Sequence, residues 1–354
     1  MEGKLVYGIQ QVGIEVQDAD EAFEWYATRL GADVSVFDDS NEATYMAPYM
    51  GGKSRKKRAI LAMNLQGGSG YEIWQYINRK PTAPAHEVEI GDLGINTAFI
   101  KSSNVEVSYA RLKGLDANLL TEIHTEEDGK KCFYLKDPGN NILKIKEFNS
   151  WYKKGSFDLG GVFGSQIGVS NIENSMKLFS DVLGYDVVVY DKTGVFEDLK
   201  GLPNGGGEFR RVLLSHKPGR KGGFSRLLGD SQLELIQRID STPRKIFENR
   251  YWGDLGFIHL CFDIRNMEKL TEECAAGGFP FKVLSAESFE MGDANGHWGY
   301  IEDPDGTLIE FVETHKVPLI KPINLNINLR NRDPEKCVPN WMIRAMRLKR
   351  VKFG

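Results

Sequence analysis

Apolar positions in the first quarter of the chain follow two periods in turn. From Tyr7 to Val16 they alternate with polar ones, the two-residue period of a half-buried strand. From Asp18 the spacing lengthens. Ala22, Phe23, Tyr26 and Leu30 form one stripe at helical spacing, Asp18 stands where a helix cap is expected, and Leu30-Gly31 ends the run. The pattern then returns to strands in ADVSVF, the YMAPYM region, RAILAMNL and YEIWQYI. The predicted unit is a strand, a helix and about three more strands.

The unit recurs. FGSQIGVSNIENSMKLFSDVLGYDVVVYD repeats the strand, the helix and the Leu-Gly stop, with Leu183-Gly184 answering Leu30-Gly31. Glu234 in LELIQRI answers Glu72 in YEIWQYI, and GDLG at 253–256 answers GDLG at 91–94, both 162 residues apart (234 − 72; 253 − 91). DPDGTLIEFVE at 303–313 answers DPGNNILKIKE at 137–147. The chain therefore divides into four modules, 5–78, 91–149, 161–240 and 253–315, and a tail, 316–354, that matches nothing else in it. Taken consecutively they make two domains, 5–149 and 161–315. A small four-stranded sheet leaves one face bare, so the modules must pair to bury it.

Composition narrows the function classes. A chain of 354 residues with 41% hydrophobic and 27% charged residues has the make-up of an ordinary globular protein. A net charge of -4 gives no general attraction to nucleic acid or acidic membranes. The N-terminus lacks the basic start and apolar core of a secretory signal, and no run reaches the roughly 20 apolar residues that span a bilayer. Cys132, Cys261, Cys274 and Cys337 form no C-x-x-C pair and no even spacing, which argues against a disulfide framework. The expectation is a cytoplasmic monomer or homodimer that acts on a small molecule without integral membrane association.

The repeat also aligns polar residues on apolar strands. The first strands present Gln11, Thr97, Gly164 and His259 in modules one to four, and the late strands present Glu72, Lys144, Glu234 and Glu310. Modules one and four supply Gln11, Glu72, His259 and Glu310. Three oxygen donors and one imidazole suit a divalent ion such as Ni, Co, Zn, Mn or Fe, and two carboxylates balance its charge. Modules two and three oppose a lysine to a carboxylate, the pattern of a dead site held by an ion pair. Consecutive pairing is the alternative, and it would leave Glu234, His259 and Glu310 together.

Module by module the chain resembles the vicinal oxygen chelate superfamily, which includes glyoxalase I, extradiol dioxygenases and fosfomycin and bleomycin resistance proteins. The resemblance is carried by QVGIEVQDADEAFEWYATRLGA, GFIHLCFDI and DPDGTLIEF, and covers residues 5 to 315. It implies an α+β fold of four βαβββ modules pairing into two cup-like mixed β-sheets flanked by helices. It also implies a metal held by Gln11, Glu72, His259 and Glu310, the glyoxalase I pattern in particular. Where that family binds glutathione, however, this chain carries Glu15, Tyr76 and Leu255 in place of Arg, Asn and Arg. Glutathione dependence is therefore not expected. An extradiol dioxygenase would want a second histidine where Gly164 stands, which makes that alternative weaker. A resistance-type protein that sequesters its ligand without turnover is the other alternative.

Side chains two apart on a strand share a face. This places Glu15, Trp74, Tyr76, Cys261 and Asp263 beside the ligands as a substrate pocket. The expected reaction is a lyase or isomerase reaction, in which the ion chelates two vicinal oxygens and stabilises an enediolate while Glu72 or Glu310 moves the proton. Weaker signals are the basic runs KSRKKR at 53–58 and KPGRKGG at 217–223, which could bind an anion, and His297, which could reach substrate. The tail ends in a basic segment whose Trp341, Ile343, Met346 and Leu348 could dock on the body or cover the cup.

Overall fold

The computed structural model describes residues 3–291, 294–320 and 325–353. The first module is β1 (Leu5–Glu15), α1 (Ala19–Leu30), β2 (Val34–Glu42), β3 (Lys56–Met63) and β4 (Gly70–Tyr76). The second is β5 (Gly94–Ser102), α2 (Val105–Gly114), the short β6 (Asn118–Leu119) and β7 (His124–Thr125), β8 (Lys131–Lys136) and β9 (Ile142–Glu147). The third is β10 (Leu159–Gly168), α3 (Ile172–Met176) running into a π-helical turn (Lys177–Val182), β11 (Val187–Gly194), β12 (Phe209–Ser215), α4 (Ser225–Leu228) and β13 (Gln232–Arg238). The fourth is β14 (Gly256–Arg265), α5 (Met267–Ala276), β15 (Val283–Leu284), β16 (Phe289–Met291), β17 (Ala294–Glu302) and β18 (Leu308–Ile320), followed by β19 (Leu325–Asn328) and α6 (Asn340–Ala345).

The repeat is written in its caps as well as its strands. Asp18 accepts hydrogen bonds from the Asp20 and Glu21 amides, and Gly31 takes the left-handed conformation that ends α1. Asn104, Asn171 and Asn266 cap the corresponding helices, accepting from the amides of Val107, Asn174 and Lys269. One segment departs from expectation. YMAPYM lies in a 3-10 helix, Thr44–Met50, rather than a strand, because Pro48 has no amide to give a sheet ladder, and Met46 and Met50 are buried.

Pairing of the modules is not consecutive. One mixed sheet runs β15-β17-β18-β14-β1-β4-β3-β2 and joins modules four and one; the other runs β11-β12-β13-β10-β5-β9-β8-β6 and joins modules three and two. Each junction is an antiparallel pair of first strands, β1 with β14 and β5 with β10. The pairing satisfies two edges that each module alone would leave open. Each sequence half, 5–149 and 161–315, thus contributes one module to each sheet.

Alternation along the strands separates two faces. Val12, Ile14, Leu260 and Phe262 of one sheet and Ala98, Ile100, Val162 and Leu235 of the other belong to a single core cluster, which also takes in the buried stripe of α1. The opposite faces line the two cups.

The tail docks on the body. Val317, Ile327, Val338, Ile343 and Met346 join Val34, Leu61, Met63, Phe224 and Leu227 in a second apolar cluster. Full burial of an aliphatic side chain of this size stabilises by about 1.5–3 kcal/mol. Trp341 and Leu348, by contrast, are 57% and 64% exposed, so the docking surface is narrower than the sequence suggested. The four cysteines are free.

Candidate metal centre

The four central strands of the first sheet each send one polar side chain into its cup: Glu310 from β18, His259 from β14, Gln11 from β1 and Glu72 from β4. Register brings them level. Gln11 lies opposite Cys261 and Gly13 opposite His259, while Gly13 is beside Glu72 and Cys261 beside Glu310 on the parallel sides. His259 Nε2 is 3.2 Å from Glu72 Oε2 and 3.0 Å from Glu310 Oε2. One ligand atom from each of these three residues lies within 4.8 Å of the others. The Gln11 amide nitrogen donates to Glu72 Oε2 at 3.3 Å.

The electrostatics favour a cation. Burial pulls the His259 pKa down, but the Glu310 and Glu72 carboxylates outweigh it and raise it to about 9. Burial pushes the Glu310 carboxyl up, and the adjacent imidazole more than reverses this. Without an ion, a proton on His259 therefore holds the two carboxylates together. Gln11 Oε1 is buried with no hydrogen-bond partner, while His259 Nε2 and Glu310 Oε2, also buried, meet only each other and Glu72. Two carboxylates and an imidazole gathered in a buried site, with the unpartnered Gln11 carbonyl oxygen beside them, are a donor set that fits a divalent ion.

Two cavities flank the cluster. One, about 590 Å³ with its open mouth, is lined by Glu72 and Glu310 and walled by Trp74, Trp252, Trp298 and Tyr300, with the Thr44–Met50 helix on its far side. Lys57 also reaches it, with its Nζ 3.0 Å from the Trp74 ring centroid. The other is apolar. It touches Gln11, Glu72 and Glu310 and is closed by Phe224, Leu227 and Leu228 of the third module and by Val317 and Met346 of the tail.

The five expected pocket residues are divided by the structure. Trp74 lines the first cavity and Asp263 the second. Glu15, Tyr76 and Cys261 are buried but line neither. Glu15 accepts the Tyr76 amide at 2.9 Å, and the Tyr76 hydroxyl donates to the Trp252 carbonyl. His297 sits on the strand partner of Glu313, in a separate groove with Arg265 and Arg330. Sequence reasoning missed Tyr300, whose hydroxyl is 3.2 Å from His259 Nδ1 and fixes the ring from behind. Its place is set by strand register, which pairs Tyr300 with Glu310 across β17 and β18.

The second cup is filled by charge. Lys144, in the place of Glu310, contacts Glu126 and lies 3.4 Å from Glu234. Arg211 binds Glu234 at 2.6 Å and Asp198 at 2.7 Å, and Lys146 binds Glu126 at 2.7 Å. Burial raises the Glu126 carboxyl, but Lys144 and Lys146 overcome it and hold it at about 2. The counterpart of His259 is Thr97, buried without a partner for its hydroxyl. Glu126, Cys132 and Asp198 stand close enough to share an ion, yet protein cations already meet the two carboxylates.

The basic runs do not form anion sites as units. Arg58 is tied to Asp20 and Asp38, and Arg220 donates to the carbonyls of Val6 and Leu183. Among the described residues no helix is long and apolar enough to cross a membrane.

Comparison with known proteins places this geometry. A family model described as Glyoxalase/Bleomycin resistance protein/Dioxygenase superfamily matches residues 8–145 and 163–311. Glyoxalase I from Zea mays is 12% identical, with a TM-score of 0.53 over 88% of this chain and 92% of that one. A point mutant of the same maize enzyme gives 13% identity and a TM-score of 0.55, over 88% and 92%. A protein of Bacillus subtilis subsp. subtilis str. 168, named provisionally as a dioxygenase, is 14% identical, with a TM-score of 0.55 over 87% and 86%. Identities this low speak for the fold alone. Among the curated proteins none matches the chain.

Proposed function

This chain belongs to the Glyoxalase/Bleomycin resistance protein/Dioxygenase superfamily, and we propose that it is a metal-dependent lyase or isomerase acting on a small oxygenated substrate without glutathione. The observation that carries this reading is the buried cluster of Glu72, His259 and Glu310, with the Gln11 side chain against Glu72 and its carbonyl oxygen unpartnered. A divalent ion held there would supply the electrophile that takes two adjacent oxygens and accepts the charge left when a neighbouring carbon loses its proton.

The chain's own residues do the rest. His259, steadied through Nδ1 by Tyr300, offers Nε2 towards the cup. Gln11 orients Glu72 through its amide. Glu310, on the wall of the open cavity, is the group best placed to take a proton from a bound molecule and return it at a neighbouring carbon or oxygen. The indoles of Trp74 and Trp252 and the Thr44–Met50 helix restrict water around that transfer. A single imidazole in the cluster favours this chemistry over a two-histidine dioxygenase. Ligand sequestration without turnover would leave the paired carboxylates without a task.

Hydroxyacetone in D₂O tests the reading without knowledge of the natural substrate. The metal-loaded protein is expected to catalyse exchange of its carbon-bound protons beside the carbonyl, and Glu310→Gln to abolish it. Undiminished exchange by Glu310→Gln, or by the metal-free protein, would overturn it.

A further inference from the structure

One cation on the wall of the open cavity has no ion-pair partner among the described residues. Glu72 and Glu310 neutralise a divalent cation, and that leaves the ammonium of Lys57 on the same wall. Among the described residues Lys57 makes no ion pair and no side-chain hydrogen bond; its contacts are with rings, Trp74 at 3.0 Å and Trp252 at 5.4 Å. The neighbouring basic residue behaves differently, since Arg58 is saturated by two aspartates at the surface. Two other carboxylates line the cavity and keep its total charge from being positive, but neither forms an ion pair with Lys57: Asp39 accepts from Asn41, and Glu42, exposed, accepts from Ser54.

The rest of the wall is aromatic. Trp74 and Trp252 meet edge to face at 4.9 Å, and Tyr45, Phe289 and Trp298 form a second cluster with centroids 5.5–5.7 Å apart. A wall built from ring faces and edges suits the apolar body of an aromatic or other flat molecule. An ammonium held against an indole is partly stripped of water, so its hydrogen bond to an anion is strengthened.

We propose that Lys57 and this aromatic wall select a planar substrate that carries one anionic group, a carboxylate, beyond the two oxygens it offers to the ion. The inference deepens the functional reading above and rests on its metal site. Lys57 is then a substrate-binding residue that sets specificity, and the neutral analogue of the substrate is discriminated against by one lost charge-assisted contact.

The test compares 3,4-dihydroxybenzoate with 3,4-dihydroxybenzamide, which share a ring and vicinal oxygens and differ in charge. Binding to the metal-loaded protein is followed by tryptophan fluorescence, with metal content measured on the same samples. The wild type is expected to prefer the carboxylate by about tenfold or more. Lys57→Gln should erase the preference while keeping the amide affinity, and Lys57→Arg should retain most of it. An unchanged preference in Lys57→Gln, or none in a wild type that holds metal, overturns the proposal. A wild type that holds no metal fails the functional reading instead. If Lys57→Gln binds neither probe, salt dependence of the wild type decides: affinity should fall with salt for the carboxylate alone, and an equal response of both probes overturns the proposal.

Discussion

Gly13 lies directly opposite His259 across the antiparallel pair that joins the first and fourth modules, and a Cβ at Gly13 would come within 2.3 Å of the imidazole. The second cup exchanges the sizes. Gln166 takes the place of Gly13 and faces Thr97, and Gly164, in the place of Gln11, makes room for Phe99, whose Cδ2 would be 2.7 Å from a Cβ there. One cup is thus shaped around a ring that can bind an ion, and the other around a ring that cannot. Gly13→Ala is expected to displace His259 and cost about 10–100-fold in metal affinity. Overpacking should cost the fold only about 1–3 kcal/mol. Zinc titration and thermal unfolding of the variant check both figures.

Metal uptake should release a proton. His259 stands at about 9 in the ion-free cluster, so near neutral pH it is protonated and must lose that proton to become a ligand. Zinc added to chelator-treated protein in weak buffer near pH 7 should liberate about one proton per ion bound. Stability of the ion-free protein follows the same group. A raised histidine pKa contributes stability that is complete below its unfolded value, about 6.5, and is lost as pH rises through about 9. The loss is on the order of 3 kcal/mol. Melting of the ion-free protein between pH 7 and 10 should show that fall, and melting of the loaded protein should not.

Ion pairs in the second cup are structural. Arg211 is fully buried between Glu234 and Asp198, and removing it leaves uncompensated carboxylates. Arg211→Met should destabilise by about 3–5 kcal/mol, measured by denaturant unfolding, and leave metal content per folded chain unchanged.

The tail acts through a few contacts. Ile343 is buried in the second apolar cluster and Trp341 is exposed. Ile343→Ala should cost about 2–5 kcal/mol and Trp341→Ala less than about 0.5 kcal/mol in equilibrium unfolding. Equal effects would contradict the docking described.

Much of this was legible because a repeat carries register. The offset that aligns Glu72 with Glu234 also aligns His259 with Thr97, and strand order converts those matches into neighbours across a sheet. Lys57, Tyr300, Glu126 and Arg211 escaped because no repeated polar token marks them. Their roles arise from cross-strand pairing and, for Glu126, from a turn after β7, where chain period says nothing about direction. The face of Glu15 and Tyr76 was read from alternation, which gives a side but not a depth, and both lie outside the cavity lining. Pro48 was the visible sign that YMAPYM would not join a sheet.

The central claim is that Gln11, Glu72, His259 and Glu310 hold one divalent ion while the second cup holds none. Elemental analysis of protein purified without chelators tests it most directly, across wild type, Gln11→Ala, Glu310→Gln and Glu234→Gln. The account predicts about one ion per chain in the wild type and in folded Glu234→Gln, with clear loss in Gln11→Ala and Glu310→Gln. Metal retained in Glu310→Gln, or lost only in Glu234→Gln, would contradict it.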